Sequence, residues 1–429
     1  MKKRLIVFSA DAMVCEDLPY LATLPNFRRY FGGYAQAESL RSIYPTITYP
    51  VHTTLMTGLY PKDHGVISND QLVAGETNRP WHWFREELQG RDLFTAAKEA
   101  GLTTAAVFWP CTGRHPHIDY LIDEYWTQSA EESLEDAFRR AGSSPDVLNI
   151  IRRHAAVTVE RQHPMCDDFA LRCACDILRE YAPELLMVHP ANIDGYRHHT
   201  GLFNEHVRDG IAETDAWLGQ LALAAKEAGV LEETNFVLLS DHGQMEIKRT
   251  INLNVLLRDA GLLETDESGK LLGWQAFAFS GGMLAYVRLR EPGNKALFDR
   301  VHALLLSLRD EGVYGIGEVF TREEILEKEH LDGDFSFVLE TDGYTSFGEC
   351  ALRPLVSNFD LSDYRFGRAT HGYLPDKGPQ PIFLAKGPAF RENARCGRKN
   401  AVDVAPTLAK VLGVELPDAQ GRAMEELLI

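Results

Sequence analysis

The sequence predicts an α/β protein in which a mostly parallel central sheet lies between helical layers. Five short, nearly continuous apolar runs have the length of strands, and helical patterns separate them along the chain. Continuous apolarity is expected of strands that are buried on both faces, and strands that alternate with helices form parallel sheets. A length of 429 residues with 45% hydrophobic residues is sufficient for a large core.

Most of the predicted strands run into polar residues at their carboxyl ends. The five predicted strands lie in RLIVFSAD (4–11), TAAVFWP (104–110), ELLMVHPANID (184–194), TNFVLLSDHG (234–243) and PIFLAKG (381–387). The predicted helices end near a glycine or a proline, which are common helix stops. They cover 93–100, 167–181, 207–228 and 403–412.

A segment from about residue 251 to residue 364 has a different pattern. It contains GMLAYVRLR (282–290), a long helical run over 294–310 and FSFVLETDG (335–343). We therefore expect an inserted α+β cap subdomain over 251–364. Residues 1–250 and 365–429 would form the catalytic α/β core.

The overall charge limits the kinds of partner. A net charge of −18 and a pI of about 5.3 argue against binding to a nucleic-acid polymer or to an anionic membrane. A small anionic substrate remains compatible with this charge, because a bound metal can override the overall field.

The N-terminal region and the cysteines predict a cytoplasmic protein. The apolar run Leu5–Ala10 is too short for a signal peptide, and Asp11 interrupts it. The sequence contains no run of about 18 apolar residues, so it predicts no membrane span. The seven cysteines show no paired spacing, which favours a reduced compartment. The oligomeric state is not predicted.

The segment Tyr44–Gly65 reads YPTITYPVHTTLMTGLYPKDHG and contains several adjacent hydroxyl groups. Its prolines stiffen a turn before what is predicted to be a short helix. Such a junction can present the hydroxyl of Thr48 at the rim of a sheet. A threonine alone is a poor nucleophile, but a metal ion can activate it.

Aspartate and histidine residues occur at metal-ligand spacings near the predicted strand ends, where α/β sheets bind ligands. Asp194 and His198 are four residues apart, so they would share one face of a helical turn. Mixed aspartate and histidine ligation suits zinc, and also manganese or iron. The full set comprises Asp11, Asp194, Asp241, His198, His242 and His371.

Each of these features also has a structural interpretation. An aspartate after a strand is commonly a turn or cap residue, and a DxxxH pair can lie on the surface. We assign structural roles to the other histidines, including His163 and His189.

The order of Asp11, TYPVHTTLMTGLYPKDHG, Asn69, DGYRH, DHG and HGY resembles the nucleotide pyrophosphatase/phosphodiesterase family of the alkaline phosphatase superfamily. The resemblance covers about residues 4–250 and 365–415, and it includes DVAPTLAKVLGV at 403–414. It implies an alkaline-phosphatase-like fold and a two-metal hydrolase of phosphodiester or nucleotide pyrophosphate bonds. The substrate would be a small phosphorylated molecule such as a nucleotide.

The resemblance also implies residue roles. Thr48 matches the family's nucleophile, which forms a phosphothreonine intermediate. Asn69 matches a residue that contacts a phosphoryl oxygen, and Tyr49 matches the aromatic residue that packs against the leaving group or nucleoside. The two metals, zinc or alternatively manganese, would be bound by two sets of ligands: Asp11, Thr48, Asp241 and His242 in the first, and Asp194, His198 and His371 in the second.

One residue departs from the family pattern, because Val51 stands where an asparagine often precedes His52. This departure affects the expected substrate class and leaves the metal ligands unchanged. A sulfatase is disfavoured because its motif arginine is missing. A phosphonoacetate-like phosphonate hydrolase or a phosphomonoester hydrolase remains an alternative, and an inactive metal-binding protein is a third.

Overall fold

A computed structural model of the chain describes residues 4–76 and 78–429. Its largest sheet has eight strands, and seven of them run in one direction. Their order is Arg395–Cys396, Ala35–Ala37, Phe383–Lys386, Thr234–Leu239, Arg4–Ser9, Leu185–Val188, Thr104–Val107 and Tyr120–Ile122. The strand Phe383–Lys386 is antiparallel to both neighbours. The prediction of a mostly parallel central sheet is therefore confirmed.

All five apolar runs form strands of this sheet, and the strands end before the polar residues that follow. In the first strand, Leu5 and Val7 pack into the hydrophobic core on one face, while Ile6 and Phe8 pack into the core on the other face. This alternation is the geometry of a strand that is buried on both sides. The aspartates that follow the strands consequently lie beyond the carboxyl edge of the sheet.

Helices cover both faces of the central sheet. The four predicted helices are present, each within two residues of its predicted start and one residue of its predicted end. The main-body helices are Leu18–Leu21, Pro25–Tyr30, Thr48–Thr57, Pro61–His64, Leu93–Glu99, Leu134–Arg140, Pro145–His154, Met165–Tyr181, Asn192–Thr200, Glu205–Glu227 and Val404–Leu412.

The segment expected to form a cap contains an antiparallel sheet of four strands, in the order Ala276–Ser280, Leu284–Leu289, Phe337–Thr341 and Ile316–Thr321. Its helices are Leu253–Asp259, Lys295–Asp310 and Arg322–Glu329. A third hydrophobic core lies here, and Tyr44 and Ile47 of the main body pack into it. The boundaries at 251 and 364 stay a prediction.

The remaining strands are short and connect these parts. The strand Arg249–Asn252 pairs with Thr345–Gly348, so the two ends of the cap segment meet. The other short strands are Leu40–Arg41, Met245–Glu246, Leu263–Thr265, Leu271–Trp274, Val356–Ser357, Ala369–Thr370 and Lys399–Asn400. Among residues 4–76 and 78–429, no helix combines the length and apolarity that a membrane crossing needs.

Candidate functional site

Thr48 is the first residue of the helix Thr48–Thr57, and the preceding Ile47 has extended backbone angles. The first backbone amides of a helix have no partner within the helix, and together with the helix dipole they attract anions. The Thr48 hydroxyl lies 3.3 Å from Nε2 of His242. The helix start therefore places the Thr48 hydroxyl, the Thr48 backbone N–H and an imidazole around one point.

Asp11 and Asp241 complete the first ligand group around Thr48. Nε2 of His242 lies 3.1 Å from Oδ2 of Asp241 and 3.7 Å from Oδ1 of Asp11. These two carboxylate oxygens are buried, and among the residues that the structure describes neither has a hydrogen-bond partner. Because burying unpaired charge is costly, their arrangement fits a bound cation. All four ligands predicted for the first metal meet here.

Asp194, His198 and His371 form the second ligand group. The helix Asn192–Thr200 places Nε2 of His198 3.0 Å from Oδ2 of Asp194, and Nε2 of His371 lies 4.0 Å from Oδ1 of Asp194. Nδ1 of His198 donates a hydrogen bond to the Ala369 carbonyl at 2.7 Å, so its Nε2 lone pair is available to a metal. The three predicted ligands of the second metal therefore lie together.

The two ligand groups are adjacent. The rings of His242 and His371 are stacked with their centroids 4.1 Å apart, and one ligand atom each from Asp11, Asp194 and His242 lies within 4.8 Å of the other two. Adjacent carboxylate and imidazole groups are the donor set of a two-metal hydrolytic site.

The protonation of these groups reflects the crowding of charge. Burial and the neighbouring Asp11 raise the pKa of Asp241 to about 7. Burial and Asp194 also raise the pKa of Asp11 well above its usual range. Burial opposes ionisation of Asp194 as well, but His198 and His371 hold its pKa below the usual range. A bound cation would favour the ionised form of all three carboxylates.

Two further histidines hold the first ligand group in place. Nδ1 of His52 lies 2.9 Å from the Thr48 carbonyl oxygen, and its Nε2 lies 2.8 Å from the hydroxyl of Ser9. Nε2 of His189 lies 3.0 Å from Oδ2 of Asp11. The sequence assigned His189 a structural role, and the contact with Asp11 is a functional signal that sequence spacing could not reveal.

Asn69 and Tyr49 lie beside Thr48, the predicted nucleophile. Oδ1 of Asn69 accepts a hydrogen bond from the Tyr49 backbone N–H at 2.9 Å. This bond fixes the orientation of the amide, so its NH2 group remains available to a ligand in the cavity that Asn69 lines. Val51, the residue that departs from the family pattern, packs in the main-body core.

A cavity of about 380 Å³ connects both ligand groups with an aromatic wall. The distance between ring centroids is 5.1 Å from Trp81 to Tyr49, 5.2 Å from Trp81 to Trp126 and 6.2 Å from Trp81 to Tyr364. The Arg161 guanidinium lies 4.5 Å from the centroid of Trp126. Flat apolar groups can stack on such a wall. The sequence did not reveal these side chains as one site, because they come from separate segments of the chain.

The chain matches the model of the family described as Type I phosphodiesterase / nucleotide pyrophosphatase over residues 5–356. It is 27% identical to ectonucleotide pyrophosphatase/phosphodiesterase family member 3 of Bos taurus over 249 residues, which cover 56% of this chain and 24% of that protein. It is 24% identical to family member 5 of Homo sapiens over 408 residues, which cover 93% of this chain and 72% of that protein. The chain thus spans about a quarter of the first relative and nearly three quarters of the second.

Solved structures show the same fold. Murine ectonucleotide pyrophosphatase/phosphodiesterase 5, in an inactive variant in complex with AMP, is 20% identical with a TM-score of 0.66 over 100% of both chains. The human protein is 21% identical with a TM-score of 0.66 over 99% of both chains. The alkaline-phosphatase-like α/β fold implied by the resemblance is therefore confirmed. The match over residues 5–356 shows that this chain belongs to the Type I phosphodiesterase / nucleotide pyrophosphatase family.

Proposed function

We propose that the protein is a metal-dependent hydrolase that cleaves phosphodiester or nucleotide pyrophosphate bonds through a phosphothreonine intermediate on Thr48. The observation that carries this proposal is the position of the Thr48 hydroxyl. It lies 3.3 Å from Nε2 of His242, at a helix N-terminus and beside a second group of metal-type ligands. Membership of the family supports the same reaction class.

Two divalent cations fit the donor set, and we propose zinc, with manganese as the alternative. Asp11, Thr48, Asp241 and His242 would hold one, and Asp194, His198 and His371 the other. The unpartnered oxygens of Asp11 and Asp241 support this assignment. When bound, such cations lower the pKa of the attacking hydroxyl and stabilise negative charge on phosphoryl oxygens.

The protein's own groups orient the reaction. Oγ1 of Thr48 forms a bond to phosphorus while the bond from phosphorus to the leaving oxygen breaks. The Asn69 amide and the Thr48 backbone N–H donate to a non-bridging oxygen, whose charge grows in the transition state. His52 holds the Thr48 carbonyl and thereby the first helical turn. Water then hydrolyses the phosphothreonine, so two displacements retain the configuration at phosphorus.

A small nucleotide is the proposed substrate class. The wall of Tyr49, Trp81 and Trp126 lies in the same cavity as Thr48, and a base could stack there. A solved relative of the same fold was captured with AMP. The cytoplasmic location stays a prediction, and it is compatible with the seven cysteines, all of which are free thiols.

A substrate panel tests the function. We expect turnover of p-nitrophenyl thymidine monophosphate to exceed that of bis-p-nitrophenyl phosphate and p-nitrophenyl phosphate, and a chelator should abolish all three. Preference for p-nitrophenyl phosphate or for phosphonoacetate would instead support the monoester or phosphonate alternative. Absence of turnover by the metal-loaded protein on the whole panel would contradict the proposal.

A further inference from the structure

A third cluster of metal-type ligands lies in the wall of the same cavity, outside the two groups described above. It consists of His163, Cys166 and Asp167, at the start of the helix Met165–Tyr181. Nδ1 of His163 lies 2.6 Å from Oδ2 of Asp167 and 3.5 Å from Sγ of Cys166. Sγ of Cys166 lies 3.8 Å from the same Asp167 oxygen. Three donor atoms of different residues thus surround one point.

The geometry of this cluster does not suit a catalytic relay. A Cys–His–Asp relay needs the thiol and the carboxylate on opposite nitrogens of the imidazole. Here Sγ and Oδ2 both face Nδ1 of His163. Convergence of a nitrogen, a sulfur and an oxygen on one point is instead the geometry of cation coordination.

The surrounding structure holds the donor atoms in place. Oδ1 of Asp167 accepts a hydrogen bond from the Ala191 backbone N–H at 2.8 Å, which turns Oδ2 toward the cluster. The His163 ring packs against Gly195, where a Cβ atom would lie 2.6 Å from its Cδ2. Only glycine at this position leaves room for the imidazole beside Asp194. The Cys166 and Asp167 side chains are buried, and His163 is partly exposed to the cavity.

We propose that His163, Cys166 and Asp167 bind a third divalent cation of the zinc class, with one coordination position open to the cavity. Thiolate and imidazole ligands favour zinc or a similar borderline-soft metal, whereas magnesium and calcium prefer oxygen. Three protein ligands with one open position are typical of a site that binds a water or a substrate atom.

The open position suggests a role in substrate binding. Because the cluster lines the same cavity as Thr48, the cation would take an anionic oxygen from the leaving part of the substrate, such as a distal phosphate. This role rests on the proposed function, whereas the metal site itself does not. Burial raises the pKa of the Cys166 thiol, so metal binding displaces the thiol proton to solvent.

Cobalt binding tests the site by its absorption. The metal-free full-length protein is titrated with Co²⁺, which gives a near-ultraviolet charge-transfer band only when a thiolate coordinates it. We expect three cobalt ions per chain and such a band in the wild-type protein. Cys166→Ser should bind one cobalt ion fewer and lose the band. Cys350→Ser is the matched control, because Cys350 is exposed and its thiol contacts the Leu352 carbonyl; it should keep the band.

Two further variants distinguish loss of the third site from loss of the second ligand group. His163→Gln should weaken the cobalt affinity measured by the band about tenfold or more, because one ligand is lost. Asp194→Asn should reduce cobalt binding at the second ligand group while leaving the band intact. Failure of the two-metal proposal can therefore be distinguished from failure of the third site. A wild-type protein that saturates with two cobalt ions without a band, or a Cys166→Ser protein that keeps the band, would overturn the third site.

Discussion

Oγ1 of Thr48 lies 3.3 Å from Nε2 of His242, although the two residues are 194 positions apart in the chain. One begins a helix that packs on the central sheet, and the other follows the strand Thr234–Leu239. The carboxyl edge of the sheet therefore joins the proposed nucleophile to a proposed metal ligand. This pair carries the proposed mechanism.

Replacing Thr48 tests covalent catalysis. Thr48→Ala should lower kcat for p-nitrophenyl thymidine monophosphate by about a thousandfold or more, because the attacking oxygen is gone. Thr48→Ser keeps a hydroxyl and should retain a measurable part of the activity. Metal content, measured by elemental analysis, should stay nearly unchanged in both. Full turnover by Thr48→Ala would contradict a phosphothreonine intermediate.

Replacing Asn69 tests its donor role. Asn69→Ala should lower kcat roughly 10²- to 10³-fold, as expected for loss of one donor to a transition-state oxyanion. Asn69→Asp can still accept the hydrogen bond from the Tyr49 N–H, which Asn69 accepts at 2.9 Å, but it places an anion where a donor is needed. We therefore expect Asn69→Asp to be equally impaired. Near-normal kcat in Asn69→Asp would show that Asn69 only supports the loop.

Metal removal should affect both stability and activity. A chelator should lower the midpoint of thermal unfolding, because cations that bind only the folded state stabilise it and their removal leaves buried carboxylates unpaired. Asp194→Asn should lower the metal content measured by elemental analysis and abolish most turnover. Asp209→Asn changes an exposed aspartate on the helix Glu205–Glu227 and should do neither. Equal metal content in the two variants would contradict the second ligand group.

The aromatic wall should determine affinity for the nucleoside. Trp126→Ala should raise KM for p-nitrophenyl thymidine monophosphate about tenfold, since stacking of a base on an aromatic side chain contributes ~1–3 kcal/mol. KM for p-nitrophenyl phosphate, which lacks a nucleoside, should change little. Trp274→Ala alters another half-buried tryptophan, in the cap segment, and serves as the control. A uniform rise in KM for both substrates would point to a general loss of structure.

Glu340 should make stability depend on pH. Burial raises its pKa from 4.5 to about 7, although Lys377, 2.8 Å away, opposes this shift. Between these values the folded state binds more protons than the unfolded state, so the free energy of unfolding falls as pH rises, by up to about 3 kcal/mol. The loss starts near pH 4.5 and is complete above pH 7.

The variant Glu340→Gln isolates this effect, because it stays neutral at every pH. Urea unfolding between pH 4 and 8 should show the wild-type protein losing stability relative to the variant as pH rises. The Tyr44 hydroxyl donates to Glu340 at 2.9 Å, and Gln can still accept this bond. Parallel stability curves for the two proteins would show that Glu340 ionises in the folded state with an ordinary pKa.

Local patterns allowed much of the fold to be predicted. The run Arg4–Ser9 is apolar on both faces, which identifies a central strand, and all five such runs were found in the sheet. The boundaries of the cap segment were harder to predict than the strands, because the strand Arg249–Asn252 spans the predicted limit at residue 251 and pairs with Thr345–Gly348 inside the cap segment. Burial periodicity is a local property, whereas pairing of distant strands depends on the whole topology.

The candidate site shows the same division. The six aspartate and histidine residues that we propose as ligands could be named from spacing and from their order along the chain, and the structure places them together. The contact of His189 with Asp11 and the wall formed by Trp81 and Trp126 had no signal in sequence spacing. The cluster of His163, Cys166 and Asp167 has the spacing of one helical turn, to which we assigned no metal-binding role.

The sequence by itself determined the α/β class, the strands, the family resemblance and the identity of Thr48 as the candidate nucleophile. These follow from periodicity within each segment and from the order of motifs along the chain, and neither depends on which segments touch in the fold. Only the tertiary structure decided which distant side chains share one point, such as Nε2 of His189 and Oδ2 of Asp11, 3.0 Å apart. The physical reason is that a cation or substrate is bound by atoms a few ångströms apart, and residues far apart in the chain reach such distances only when separate elements pack against one another.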